Sequence, residues 1–476
     1  MPIAPLYSKL MFFILILIGS FIQPATTLAD SLDFDTAWQR VSEKSYVLLA
    51  EQANIEHAMH QQDATWDMHL PQVNINAGYI YLDDKIELSP SAIFESMPIG
   101  GLIGTQIATL VQALGISAAA IDSNFTSKIS DREIKTASIG VLWPIFTGGR
   151  VMAAQDIAAA SLAEARQQKA LKVYDQFELL CTRYYAVSLL TQLLATRTEV
   201  VESLKIHLEH AKLLVENGQI AEVEELQAEA AYDKAMVDQE KAANELAITQ
   251  AALTSLLQEE TTVTTSSRLF IGKKLLPPLD VFIKKTLAGY PGLTILDAKE
   301  GMATGVVKVE EGKYYPTIAL IGDYSLYEED NLIGELTPDW FVGVVATIPI
   351  IDRSGRSGKR LAAKNLVNKV KQLRHQAYQD LTLLVEKNYR QVVLAEAEYR
   401  GLASSLKLAE KALELRELAF DQGLATSLDV VDSRLYVAAV KTQRSHAAYS
   451  YVTKLARILA ISGDLDKFSS YQNSTL

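Results

Sequence analysis

Residues 144 to 226 of this chain are echoed by residues 349 to 431 at a constant offset of 205, over about 80 residues without an internal gap. Trp143-Pro144-Ile145-Phe146-Thr147 returns as Ile348-Pro349-Ile350-Ile351-Asp352, and Tyr184 returns as Tyr389. Asn217-Gly218-Gln219-Ile220-Ala221 returns as Gln422-Gly423-Leu424-Ala425-Thr426. A self-match this long means that one structural unit was written twice. The unbroken spacing narrows the choice, because loops absorb insertions and long paired helices do not.

Each copy reads as helix, strand, loop, strand, very long helix, tight turn, helix. In the first, the opening helix is expected over residues 31–66, with Leu70-Pro71 ending it. Val73, Ile75, Ala77, Tyr79 and Tyr81 then alternate with Asn74, Asn76 and Gly78. This period of two marks a strand with one apolar and one polar face. The returning strand sets Ala137, Ile139, Val141 and Trp143 against Thr136, Ser138 and Gly140. After Tyr315-Pro316 the second copy sets Ile318, Leu320, Tyr324 and Leu326 against Thr317, Asp323 and Ser325, and Val342, Val344, Ala346 and Ile348 form the last apolar face.

Pro144 and Pro349 cannot donate to a ladder and are expected to end these strands. Gly148 and Gly149 in one copy, Gly355 and Gly358 in the other, permit the bend into helix. No proline interrupts residues 150–216 or 356–421. Helices of that length run ~100 Å at the α-helical rise, and their dense alanines let axes approach closely. Gly218 and Gly423 fall where a left-handed helix C-terminal residue belongs. The expected division is repeat 1 over 30–265 (outer loop 82–134, turn 217–221), repeat 2 over 278–464 (outer loop 327–340, turn 422–426) and a tail over 465–476.

Residues 1–29 read as a secretory signal: Lys9 supplies the charge, an apolar run follows, and Thr27-Leu28-Ala29 ends in small residues. No later stretch resembles a lipid-spanning helix, since the uncharged residues 96–121 are rich in glycine, threonine and glutamine. An exported chain of this kind enters a membrane only as a β-barrel, since helices and closed barrels alone satisfy their backbone in lipid. Polar-in, apolar-out alternation over roughly ten residues is how such strands are built; an ordinary half-buried soluble sheet is the alternative. Aromatic residues near the strand ends, among them Tyr79, Trp143, Tyr315 and Trp340, suit the two lipid interfaces. Four strands cannot close on themselves, because small membrane barrels have eight or more. The chain must therefore oligomerise, and three copies give twelve strands.

The net charge of −12 excludes the basic stripe that nucleic acid demands. Cys181 is the only cysteine, so no intrachain disulfide forms, and a buried apolar role is expected. His207 with His210, and His57 with His60, lie three apart on helices; two ligands make a weak metal site, and solvated faces are expected instead. There is no phosphate loop, nucleophile elbow or cysteine cluster. Neither enzyme activity nor a cofactor or metal is expected.

The duplicated Pro144-Ile145-Phe146-Thr147-Gly148-Gly149-Arg150 and Pro349-Ile350-Ile351-Asp352, with the turn segments from Gly218 to Ala228 and from Gly423 to Ser433, resemble the TolC family of outer-membrane efflux and secretion channels. The resemblance covers essentially all of the mature chain. It implies an α+β membrane protein, in which a long α-helical coiled-coil barrel adjoins four β-strands per chain that complete a trimeric 12-stranded outer-membrane barrel. It implies a homotrimer in the outer-membrane lipid of a Gram-negative cell, with its helical tunnel in the periplasm. The partners implied are a periplasmic adaptor (membrane fusion) protein and an inner-membrane proton-driven or ABC transporter, for drug efflux or type I secretion. Gly218, Gln219, Gly423 and Leu424 then mark the adaptor-docking turns, and Pro144, Gly148, Gly149, Pro349 and Gly355 the barrel-to-helix junction.

Asp429 and Asp432 align with the family's carboxylate rings at the tunnel constriction. Spaced i, i+3, they share one helix face, and neither has a lysine or arginine four residues away. Six converging carboxylates in a trimer would attract cations and raise some pKa values. Thr426 and Asp429 also have the spacing of a helix capping pair. Glu224, equivalent to Asp429 by the offset, is expected to add acidity. Two departures stand out. The first outer loop carries about 40 extra residues, and Ala425 replaces the arginine with which the family commonly latches its gate. A general porin would share the barrel without such helices, and a periplasmic scaffold would share the helices without such strands.

Overall fold

The computed structural model describes residues 31–90, 126–328 and 338–474. The expected signal, the glycine-rich part of the first outer loop and most of the second lie outside the described residues. In chain order, β1 (Ser31–Leu32), α1 (Phe34–Lys44), α2 (Tyr46–Ala64), β2 (Gln72–Tyr81) and β3 (Ile86–Leu88) come before residues 91–125. After them come β4 (Ser127–Ser130), β5 (Glu133–Phe146), α3 (Arg150–Glu216), α4 (Glu222–Leu257) and β6 (Thr264–Thr265). The second copy brings α5 (Leu279–Gly289), α6 (Pro291–Gly312), β7 (Thr317–Glu328), β8 (Trp340–Thr347), α7 (Arg356–Asp421), α8 (Ser427–Ile461) and the short α9 (Phe468–Gln472). The α+β class that the resemblance implies is the one observed. No helix among the described residues is long and apolar enough to cross a membrane.

The opening helix differs from expectation. It is two helices, α1 and α2, broken at Ser45. Ser45 adopts extended backbone (φ −57°, ψ 119°) while its N–H caps the Val41 carbonyl, and the helical period alone does not register so short an interruption.

The chain forms two compact units. One comprises residues 55–164 and 296–373, and it holds an antiparallel sheet of order β2-β5-β7-β8. Register aligns the apolar faces across all four strands. Val73 lies opposite Val141 and Ile75 opposite Ile139, which in turn faces Tyr324 and then Trp340. On the other face Asn74, Gly140 and Asp323 align, as do Asn76, Ser138 and Ser325. The Ser138 hydroxyl donates to Asp323 at 3.1 Å. Among the described residues, β2 and β8 each have a partner on one side only.

The junctions after the strands show one correction. Pro144 does not end its strand; β5 continues to Phe146, with an irregularity in register between Pro144 and Phe146. Pairing with β2 stops at Leu142, so Pro144 has a strand neighbour on one side only, where a missing donor is tolerated. Pro349 lies just beyond the end of β8. Gly148, Gly149 and Gly355 have φ of 66°, 79° and 70°, and Gly358 lies within α7 instead of in the bend. An arginine fastens each junction. Arg150 donates to the Thr147 carbonyl and the Thr317 hydroxyl, and Arg356 to the carbonyls of Lys313 and Ile350. In the same unit α6 lies against the alanine-rich start of α3: a Cβ on Gly305 would meet Ile157 at 2.4 Å, which is why that position carries no side chain.

The other unit, comprising the chain up to Asn54, residues 165–295 and those from Arg374 onward, is helical. Its core gathers Phe34, Phe177, Tyr184, Tyr185, Phe270 and Phe468. The Tyr184 hydroxyl donates to the Leu32 carbonyl at 2.6 Å and accepts from the Ser267 N–H at 3.0 Å. It thereby joins the flanks of the parallel β1–β6 pair, a small sheet that two-residue strands do not reveal in sequence. Cys181 is fully buried, and burial raises its thiol pKa, so it is the inert apolar residue expected.

Candidate functional site

Within the helical unit, the turns after α3 and α7 close the same way. Gly218 and Gly423 are left-handed, with φ of 69° and 72°. Gly218 N–H bonds the Val215 carbonyl and Gln219 N–H the Leu214 carbonyl; Gly423 and Leu424 repeat this on Phe420 and Ala419. These paired bonds satisfy the last carbonyls of each helix. Gln219 and Leu424 are left exposed, Leu424 by 77%, so both can meet a partner.

The helices that leave the turns start differently. Thr426 caps α8: its hydroxyl accepts from the Asp429 N–H at 3.2 Å, and Asp429 Oδ2 accepts from the Thr426 N–H at 2.9 Å. This reciprocal box satisfies two otherwise orphaned donors. At the start of α4 the equivalent of Thr426 is Ala221, which has no oxygen to offer. Glu224, in the place of Asp429, reaches across instead, and its Oε2 accepts from the Ser427 N–H at 2.6 Å. A carboxylate there also complements the positive end of α8.

Ser427 makes a second bond, Oγ to His207 Nε2 at 2.7 Å. Serine and imidazole are both buried, and the ring lies 4.8 Å from Phe420. The expectation of a solvated face is thus overturned for His207. A pattern with Glu209 between two histidines reads as polar, yet α8 and the end of α7 cover one side of it. Burial first, and Arg434 second, push the His207 pKa from 6.5 down to about 4, so the ring is neutral at neutral pH. His210 is half exposed and lies 3.4 Å from Asp421. His57 and His60 are exposed. Around this bridge Leu208, Ala211, Ala228, Phe420 and Val430 form a local core, and Val200, Leu204, Ala235, Val431 and Ala438 form a second.

The two aspartates have different surroundings. Asp429 was expected to lack a cationic neighbour, but Arg416 approaches it from α7 at 3.6 Å. Spacing along α8 cannot show a charge supplied by another helix. Within the single chain the pKa of Asp429 is lowered, through its bonds with Thr426 and then the nearby Arg416. Asp432 is exposed and lines an open groove with Leu428, Val431, Leu435, Lys234 and Asp238. Ser427 was not singled out in sequence. Its only signal is its place directly after a capping threonine, and nothing local shows that both its polar groups bind the first copy.

Among the described residues, one unit carries a pair of helical turns with acidic side chains and the other a sheet with one apolar face. The profile of the family described as "Outer membrane efflux protein" matches residues 101–258 and 283–464. The chain belongs to the outer membrane efflux protein family. A characterised relative, the outer membrane protein TolC of Vibrio cholerae, is 22% identical over 269 residues, covering 55% of this chain and 61% of TolC. The outer membrane protein VceC of Vibrio cholerae superposes with a TM-score of 0.69 at 14% identity, over 91% of this chain and 96% of VceC. The CmeC outer membrane channel of Campylobacter jejuni gives 0.68 at 13%, over 93% and 90%. At such identities the solved structures establish the shared fold. The outer membrane efflux family consists of channels, and this member is not an enzyme.

Proposed function

We propose that the chain is one of three identical protomers of a passive exit duct, a 12-stranded barrel in the outer membrane continued by a helical tunnel in the periplasm. The four-stranded sheet carries this reading. Its apolar face is continuous in register, and among the described residues β2 and β8 each keep an unpaired edge. An open edge within lipid is untenable; pairing β8 of one copy with β2 of the next removes every edge. The unshared edges, more than the helices, dictate the oligomer.

In this duct the turns at Gly218-Gln219 and Gly423-Leu424 form the periplasmic tip and receive an adaptor, through which an inner-membrane proton-driven or ABC transporter supplies the energy. Asp432, with Asp429 and Glu224 behind it, sets the charge of the constriction. Residues 30–265 and 278–464 are the two repeats, and residues 1–29 are the export signal. The cargo is chosen by the pump, because a wide polar lumen discriminates little. A photo-crosslinker at Gln219 in living cells tests the docking. The expected product is an adaptor captured at the turn; folded outer-membrane protein that captures no adaptor would remove the assignment.

A further inference from the structure

In a tripartite duct the start of α8 must move if the tip is to open, and its first residue is bonded to both helices of the first copy. Ser427 is held by Glu224 through its N–H and by His207 through its hydroxyl. His207 belongs to α3 and Glu224 to α4, so both helices of the first copy grip the first residue of α8. Ala425 lies among the residues packed at this point, so the position where the family commonly has a latching arginine supplies only a methyl group.

Resting on the reading of this chain as a gated duct, we propose that the His207–Ser427 bond is a proton-sensitive latch, closed while the imidazole is neutral and released when it takes up a proton.

The surroundings give the latch its direction. Facing His207 are Arg434 from α8, which is paired with Glu417 of α7 at 2.8 Å, Asp421 at the end of α7, and His210 one turn along α3. From α4 comes Glu224, on the same serine. Arg434 keeps 12% of its side chain exposed, so a second cation placed beside it meets repulsion that little water relieves. Protonation makes both ring nitrogens donors, so the bond persists only by reversing onto the serine oxygen, and release is driven by the buried cation beside Arg434. The sign follows from linkage. The packed state binds its proton only near pH 4, whereas a water-exposed ring binds one near 6.5. Between those values the released state holds more protons, and its population rises by about tenfold for each unit of falling pH. Below the lower value both states are protonated and the gain stops.

The test uses the full chain reconstituted in lipid, with Leu424→Cys carrying an environment-sensitive fluorophore. Position 424 is exposed, and the native Cys181 is buried and does not compete. Emission and bilayer conductance are followed together from about pH 7.5 to about pH 4.5, the window in which the exposed ring titrates. In the otherwise native protein both signals should change as the pH falls. In His207→Gln, whose carboxamide keeps a partner for Ser427 without titrating, both should stay flat. An unresponsive label in the native ring, or an equal response in His207→Gln, overturns the latch; the second result would assign the titration to carboxylates such as Glu224 and Asp429. Ser427→Ala provides a second check. It should look released at every pH, and a retained native pH profile would again overturn the proposal. A label that responds in a protein with no conductance at any pH sinks the duct reading and leaves the latch. Conductance with a flat label does the reverse.

Discussion

The two copies of the repeat keep the same backbone and spend their side chains differently. Both turns close with a left-handed glycine and the same pair of carbonyl-satisfying bonds. The second copy then caps its own helix with Thr426 and Asp429, whereas the first, with Ala221, leaves its acid free to seize Ser427 of the other. Tyr184 is fully buried and bonds the β1–β6 flanks, while its echo Tyr389 is only partly buried, beside Phe282. Duplication preserved the scaffold. Where the copies differ at a few polar positions, side chains of one hairpin bond the other.

The largest expected asymmetry lies at the tyrosines. Tyr184→Ala should cost about 3–5 kcal/mol, the range for emptying a fully buried aromatic site. Tyr389→Ala should cost clearly less; equal losses in chemical denaturation would erase the contrast between the copies. The turns test the opposite claim, that the backbones are equivalent. Ala at Gly218 or at Gly423 should cost about 1–2 kcal/mol at each, because L side chains resist the left-handed conformation. A several-fold difference between the two would break the equivalence.

The exchange of caps is a smaller and sharper test. Thr426→Ala should cost about 1 kcal/mol. Ala221→Thr should do something more telling: with a hydroxyl at that position Glu224 can fold back on its own helix, as Asp429 does. Hydrogen exchange at the start of α4 should then slow while that at Ser427 quickens. Slower exchange at both would mean that Glu224 was never diverted.

These contrasts mark what sequence could and could not convey. The long helices, the four strands and the glycine turns were legible because periodicity and punctuation are local. The structure has the helices at Arg150–Glu216 and Arg356–Asp421, where the absence of proline had suggested them. Pro144 misled because whether a proline ends a strand depends on where the neighbouring strand stops, and β2 stops at Leu142. His207, Ser427 and the Arg416–Asp429 pair were illegible for one shared reason. Each joins different helices: His207 and Ser427 meet from separate hairpins 220 positions apart, and Arg416 and Asp429 meet across one turn. Asp429, Asp432 and Glu224 stood out in sequence as acidic residues near the turns, but their different partners did not.

That difference in partners yields the smallest predicted effect. Asp429 is engaged by Thr426 and Arg416, and Asp432 is exposed in its groove. In planar bilayers Asp432→Ala should therefore lower cation selectivity more than Asp429→Ala does. The reverse order would return Asp429 to the constriction as a free charge.

The central claim is that an edge-bearing sheet of four strands commits this chain to assembly in threes. The direct measurement is the mass of the complex extracted gently from outer membranes, by native mass spectrometry after removal of detergent. The account predicts three mature chains that separate only on heating. A folded single chain, or a closed ring with any other number of copies, would contradict it.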